Sequence, residues 1–283
     1  PADVLILEVG LGGSYDATNV IDQPALSVIT PIDFDHKAFL GSDIRKIAGE
    51  KAGIIKSGRP ALTAIQRKIC DDVIAKRAED VGAPLYRLKA HFIDAMPEDL
   101  GLLGEHQRAN AALAAMAVQL FGNSTIIDQN AIFEGARNVV WPARMQRLKD
   151  GPLTALAPNQ EIWLDGGHNP HAARAIARQL NNMPGRTALV AAMLASKDAT
   201  GYFMPFRQVR PEVFTLPNAP GHQGAEPQAL AEAATNAGLK AAAYDSLEAA
   251  LKAAATTGVD RILICGSLYL AGEVLARNGE PPV

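Results

Sequence analysis

A chain of 283 residues with 48% hydrophobic and 20% charged positions is long enough for two domains that need no disulfide or metal staples. Its apolar residues never approach the roughly 18-residue run of a membrane span. The formal net charge of −3 excludes a broad basic field that would gather nucleic-acid backbones. The two cysteines, Cys70 and Cys265, stand outside any paired or metal-ligand spacing and read as reduced core residues of a cytoplasmic protein.

The chain opens at Pro1 without an initiator Met or a signal-like segment. It enters the apolar run Val4-Leu5-Ile6-Leu7 at once, so the sequence is expected to begin inside a larger fold. Short branched residues from Asp3 to Val9 predict a central parallel strand, followed by the glycine-rich loop Gly10 to Gly13. A second strand is expected over Ala25 to Thr30. Ser42-Asp43 can cap a helix that turns Ile44, Ile47 and Ala48 inward. Gly53 and Gly58-Arg59-Pro60 precede a strand near Ala61 to Ile65, and an amphipathic helix is expected over Arg67 to Val81. The weak periodicity from Leu85 to Gly104 predicts short antiparallel strands and turns. Alanine-rich Glu105 to Phe121 is a helix on propensity, and Asp128 caps another reaching about Val139. Trp141-Pro142-Ala143-Arg144 breaks the pattern and marks a domain joint.

Beyond that joint strands and helices alternate. Strands are expected near Glu161 to Leu164, Ala188 to Met193, Glu212 to Leu216, Ala241 to Tyr244 and Arg261 to Cys265. Asn169-Pro170 supplies an N-cap and first helical residue, and Asp245-Ser246 another cap. The alternation predicts an α/β fold with a mostly parallel, Rossmann-like sheet and functional loops at the carboxyl ends of its strands.

Glu8 stands at the end of the first predicted strand, ahead of glycines that let a backbone approach a ligand closely. A carboxylate beside exposed amides suits a hydrated magnesium ion with nucleotide phosphates, although such glycines also serve a tight turn. Asp16-Ala17-Thr18-Asn19 and Asp33-Phe34-Asp35-His36 add polar groups where strands end. Taken singly, His36 suits a solvated or capping role, and Lys51 an exposed helix residue paired with a carboxylate.

The ordered set is more specific than its members. Glu8-Val9-Gly10-Leu11-Gly12-Gly13, Asp16-Ala17-Thr18-Asn19, Asp35-His36, Phe39-Leu40-Gly41 and Glu50-Lys51-Ala52-Gly53-Ile54-Ile55-Lys56 resemble the folylpolyglutamate and dihydrofolate synthases, ligases of the Mur type. The likeness continues through His106-Gln107, Asn110, Trp141-Pro142-Ala143-Arg144, Asp165-Gly166-Gly167-His168-Asn169-Pro170 and Gly266-Ser267-Leu268-Tyr269-Leu270. It implies that residues 1–141 are the later part of a P-loop-type ATPase domain and residues 142–283 a glutamate ligase domain.

By that resemblance Glu8 and His36 are magnesium ligands, and Lys51 is the lysine that becomes carbamylated and helps hold the metal, which requires a neutral amine. Tyr15, Asp16 and Ala17 would lie against the pterin. Asn110, Arg144 and Asp165 would contact ATP from both domains, so that nucleotide binding closes the site and excludes water. Asp165 and His168 would position glutamate and the acyl phosphate, and Ser267 would act at the last strand's end, near the comparable turn at Lys197-Asp198. Three departures stand out. Ser14 replaces a common arginine, Gly167 replaces the usual alanine, and Ala195-Ser196-Lys197-Asp198 is a less acidic form of the family turn. No Gly-x-x-x-x-Gly-Lys-Ser/Thr phosphate loop occurs in the 283 residues.

The implied activity is ATP-dependent joining of L-glutamate to dihydropteroate, to reduced folate glutamates, or to both, by a monomer that partners neither nucleic acid nor membrane. The 283 residues alone are expected to be inactive. Another Mur-type amino-acid ligase and a non-catalytic scaffold with a decayed ligase fold remain the alternatives.

Overall fold

The apolar run at the amino terminus does not become the expected strand. In the computed structural model, which describes residues 2–34, 41, 43–121, 127–219, 221 and 223–281, the stretch 4–9 has no regular secondary structure and pairs with no strand. Ile6 is 88% and Leu5 71% exposed. A central strand needs hydrogen-bonding neighbours on both edges, and none of the described residues supplies one.

The chain divides into two units, Pro1–Gly101 with His106–Val139, and Leu102–Glu105 with Val140–Val283. The first contains a parallel sheet of β1 (Ser27–Ile29), β2 (Ala61–Thr63) and β3 (Leu85–Arg87), in that order. Helix α1 (Ile44–Ala52) is capped by Asp43, whose side chain accepts from the Arg45 amide at 2.9 Å; Ser42 lies outside the described residues. Its buried Ile47, Ala48 and Ala52 share a core with Ile29, Ile55 and the inner face of α2 (Lys68–Asp80), Cys70, Ile74 and Ala78. The other core gathers Leu62, Leu88, Met96, Ala112 and Leu113, the last two from α4 (Glu105–Phe121). The region expected to hold antiparallel strands instead forms β3 and a short helix, α3 (Ala90–Asp94). The connection through α2 returns the chain to the starting end of β2, which makes the pairing parallel. Asp128 caps α5 (Gln129–Asn138) as expected, accepting from the Asn130 amide at 3.2 Å.

The second unit is built on a six-stranded sheet of β4 (Gln146–Arg147), β5 (Glu161–Asp165), β6 (Thr187–Ala191), β7 (Glu212–Thr215), β8 (Ala241–Ala243) and β9 (Arg261–Cys265). The order is β4-β5-β9-β6-β7-β8, and only β4 runs antiparallel. Alternate strand residues feed two cores. Ile162, Leu164, Val190, Ile262 and Ile264 meet α9 (Leu247–Ala255) and α10 (Leu268–Asn278). Trp163, Leu189, Leu263 and Cys265 meet α6 (Pro170–Asn182), α7 (Ala199–Phe203) and α8 (Pro227–Asn236). Coverage on both faces explains why these strands are apolar throughout rather than alternating. The side chains of Asn169 and Ser246 cap α6 and α9 at 2.9 and 3.2 Å. In register, Asp165 stands beside Cys265 and Cys265 beside Ala191, so the carboxyl ends of β5, β9 and β6 share one edge. Among the described residues no helix is long and apolar enough to cross a membrane.

Candidate functional site

In the first unit the glycine loop is organised by Asp16. Its Oδ2 accepts from the amides of Gly10 at 3.1 Å and Leu11 at 2.9 Å, and its Oδ1 from the Thr18 amide at 2.9 Å and hydroxyl at 2.6 Å. Those bonds, the Thr18 hydroxyl first, hold the carboxyl down from 3.8 to about 2. The loop is seated on the last turn of α1. Ser14 donates from its amide to Glu50 O at 3.0 Å, a Cβ on Gly13 would overlap the Glu50 carbonyl and approach Lys51 Cα to 3.0 Å, and a Cβ on Gly53 would overlap the Ser14 side chain. The Ser14 side chain therefore occupies the space that Gly53 leaves open.

The structure thus brings the loop against the backbone that carries Lys51. Lys51 itself is half-buried and forms no ion pair among the described residues. Glu8, Tyr15 and Ala17 are exposed. Asn110 is also exposed, its side-chain nitrogen donating to Gln107 Oε1 at 3.1 Å. Neighbouring Arg108 donates to the carbonyls of Ile93, Asp94, Met96 and Pro97 at 2.6 to 3.1 Å, closing the end of α3. His36 lies outside the described residues, as do Asp35, Phe39 and Leu40. Among the described residues no three His, Cys, Asp or Glu side chains form a metal-holding group.

In the second unit the centre is Asp165, 6% exposed at the end of β5. Its Oδ2 accepts from the Met145 amide at 2.9 Å and its Oδ1 from the Gly167 amide at 2.7 Å. One side chain therefore joins the Pro142-Ala143-Arg144 turn to the Gly166-Gly167-His168 loop. The backbone reinforces the join, with the Gly166 amide donating to Ala143 O at 2.9 Å. Burial pushes the Asp165 carboxyl up, while the Gly167 and Met145 amides and then the Arg144 charge pull it back. Ala143 and Met145, either side of Arg144, take φ of 55° and 44°, a region L-residues rarely occupy.

Arg144 Nη1 donates to Ala143 O at 3.1 Å, and a Cβ on Gly166 would come within 3.3 Å of it, so the guanidinium lies over the loop that leaves β5. His168 Nδ1 sits 3.0 Å from Gly166 O, an oxygen that can only accept, so Nδ1 carries a proton. Ser267 is 3% exposed and caps α10, its Oγ accepting from the Leu270 amide at 3.3 Å. Gly266, with φ 96°, has no room for a side chain, since a Cβ would stand 2.5 Å from Ala192 O. Asp198 caps α7 by accepting from Gly201 N at 2.9 Å. Cys265, beneath this edge, is pushed up to about 12 by burial, an inert core thiol. The Asp165 clamp escaped sequence reasoning because its donors are main-chain amides, one of them 20 positions away.

The residues 143–268 match the family model of the Mur ligase, glutamate ligase domain. The chain is 34% identical to the dihydrofolate synthase/folylpolyglutamate synthase of Bacillus subtilis (strain 168), over 69% of this chain and 49% of that protein. It is 32% identical to the folylpolyglutamate synthase of Lacticaseibacillus casei, over 96% of this chain and 66% of that one. The structure superposes on Mycobacterium tuberculosis folylpolyglutamate synthase complexed with ADP and AMPPCP with a TM-score of 0.87 and 29% identity, covering 100% of this chain and 70% of the other. The chain thus spans about half the length of the first relative and about two thirds of the second.

Proposed function

Because the chain belongs to the folylpolyglutamate synthase/dihydrofolate synthase family of Mur-type ligases, we propose that it acts in an enzyme that joins L-glutamate to dihydropteroate or to reduced folates at the expense of ATP. The γ-phosphoryl group passes to the substrate carboxylate, the glutamate amine attacks the acyl phosphate, and ADP and phosphate leave. The observation that carries this reading is the Asp165 clamp, which fixes Arg144 beside the loop at a strand-end edge, where α/β sheets bind ligands.

In this reading Arg144 offers a permanent charged fork to phosphate oxygens. Asp165, nearly buried and engaged by two amides, acts as a positioning residue. His168 holds a proton on Nδ1 at the same edge, and Ser267 orients the start of α10. Glu8, with His36 and a carbamylated Lys51, would hold magnesium, which supplies charge neutralisation at the transferring phosphoryl group. Tyr15 and Ala17 face the pterin, with Asp16 ordering the loop beneath them, and Asn110 serves the nucleotide. The enzyme is a cytoplasmic monomer, and the 283 residues alone, without a phosphate loop, do not turn over.

The test is a chimera in which a phosphate-loop segment from the Lacticaseibacillus casei relative precedes Pro1. ADP release with dihydropteroate or a reduced folate should depend on L-glutamate, and Arg144→Ala should cut it by about a hundredfold, as loss of one charge-stabilising donor does. ADP release that ignores glutamate, or that proceeds equally with cell-wall peptide precursors, would sink the assignment.

A further inference from the structure

At the opposite edge of the second unit's sheet, where β6, β7 and β8 begin, lies a cavity of about 670 Å³ that ligation does not use. Its charged lining is Arg186, Arg207, Arg210, Glu212 and Lys240. Lys240 and Glu212 neutralise one another at 2.7 Å. The three arginines are exposed, and among the described residues none is in an ion pair. Asp260, a carboxylate outside the lining, accepts from the Arg186 main-chain amide at 2.7 Å.

Two arginines are held in place by unusual backbone. Arg210 has φ 52° and donates its amide to Phe206 O at 2.9 Å, closing the 3₁₀ turn Met204–Gln208 at a position where glycine is the unstrained choice. Arg210 lines the cavity in spite of that backbone conformation. Gly238, with φ 81°, leaves open the space where a Cβ would stand 3.1 Å from Arg207 Nε and Nη2, so that guanidinium lies against bare backbone. Behind the wall, Arg261 is 5% exposed. It donates to Thr187 Oγ1 at 3.3 Å and to Pro184 O at 2.7 Å, while its Nε is buried without a partner. Thr187 itself lines the cavity. A buried cation without a counter-charge favours an anion nearby.

We propose that this edge binds a small polyanion, a molecule presenting two or more oxyanion groups to the arginine forks. The shared chemistry is a charge-assisted, bidentate bond to phosphoryl or carboxylate oxygens.

The test titrates pyrophosphate and, separately, tricarballylate into the 283-residue chain at physiological salt, following amide and arginine Nε–Hε resonances. Saturable shifts at Arg207, Arg210 and Gly238 are expected, and the stronger of the two ligands identifies the source as phosphoryl or carboxylate. Arg207→Gln should weaken binding about tenfold, the worth of one charged hydrogen bond. Arg210→Gly should weaken it similarly yet melt no lower than the parent, because it relieves the backbone while removing the fork. Unsaturable shifts that vanish with added salt, or equal binding by both variants and the parent, would overturn the proposal.

Discussion

In the first unit an aspartate at the surface, Asp16, gathers the amides of Gly10, Leu11 and Thr18; in the second a buried one, Asp165, gathers those of Met145 and Gly167. The hydrogen bonds are alike and the titrations opposite. Asp16 is held down to about 2, whereas burial raises Asp165 in spite of its two amides and Arg144. Desolvation therefore decides the sign, and the two loops respond differently to acid. Asp16 contributes stability above its ordinary value that is lost as pH falls from about 4 through about 2. The charge on Asp165 opposes folding once ionised, so its contribution is full below the ordinary carboxylate range and declines as pH rises through the raised value.

The largest expected effect breaks the buried clamp. Asp165→Ala leaves one buried and one part-buried amide without an acceptor and should cost about 2–4 kcal/mol. The amides of Met145 and Gly167 should then lose protection from hydrogen exchange, and retained protection would show that the clamp is dispensable. Asp165→Asn should cost less and flatten the decline of stability with rising pH, as denaturant titrations across pH would record.

Detaching the glycine loop from α1 comes next. Gly13→Ala sets a Cβ against the Glu50 carbonyl and should cost about 1–3 kcal/mol, since backbone must move. Gly167→Ala, whose Cβ would meet Ala172 Cβ, Asp165 Oδ1 and Ile176 Cδ1 at 2.9 Å, should fall at the lower end of that range. A neutral result would show that the family's usual alanine fits here without adjustment.

Ser267→Ala should lower stability by about 1 kcal/mol through the lost cap. A loss of turnover in the chimera larger than that destabilisation explains would mark Ser267 as more than a cap. Asp16→Asn should leave the melting temperature nearly unchanged while the Gly10, Leu11 and Thr18 amide resonances lose their titration near pH 2. Persistence of that titration would contradict the assignment of the low value to Asp16.

The elements with local signals were legible in the residues. Asp43, Asp128, Asn169 and Ser246 cap the helices they precede, because a short polar side chain before an apolar periodicity is a local arrangement. Strand β9 spans Arg261–Cys265 as expected, an apolar run bounded by Asp260 and Gly266. Failures followed contacts that no local window contains. Asp3 to Val9 has a strand's composition without paired neighbours, and β4 is two polar residues whose strand character comes only from pairing with β5. Site residue types and their order were visible through family resemblance. The grip of Asp165 on main-chain amides, the left-handed residues beside Arg144 and the seating of Gly13 on α1 were not, since each depends on backbone geometry rather than residue type.

The most direct test of the strand-end edge is a titration of the 283-residue chain with magnesium and ADP, reading amide shifts in parent, Arg144→Gln and Asp165→Asn proteins. Saturable shifts confined to Arg144, Met145 and Gly166 to Asn169, weakened by both substitutions, are expected. Nucleotide binding that leaves those resonances still, or that both variants retain in full, would contradict the role given to Arg144 and the carboxylate that holds it.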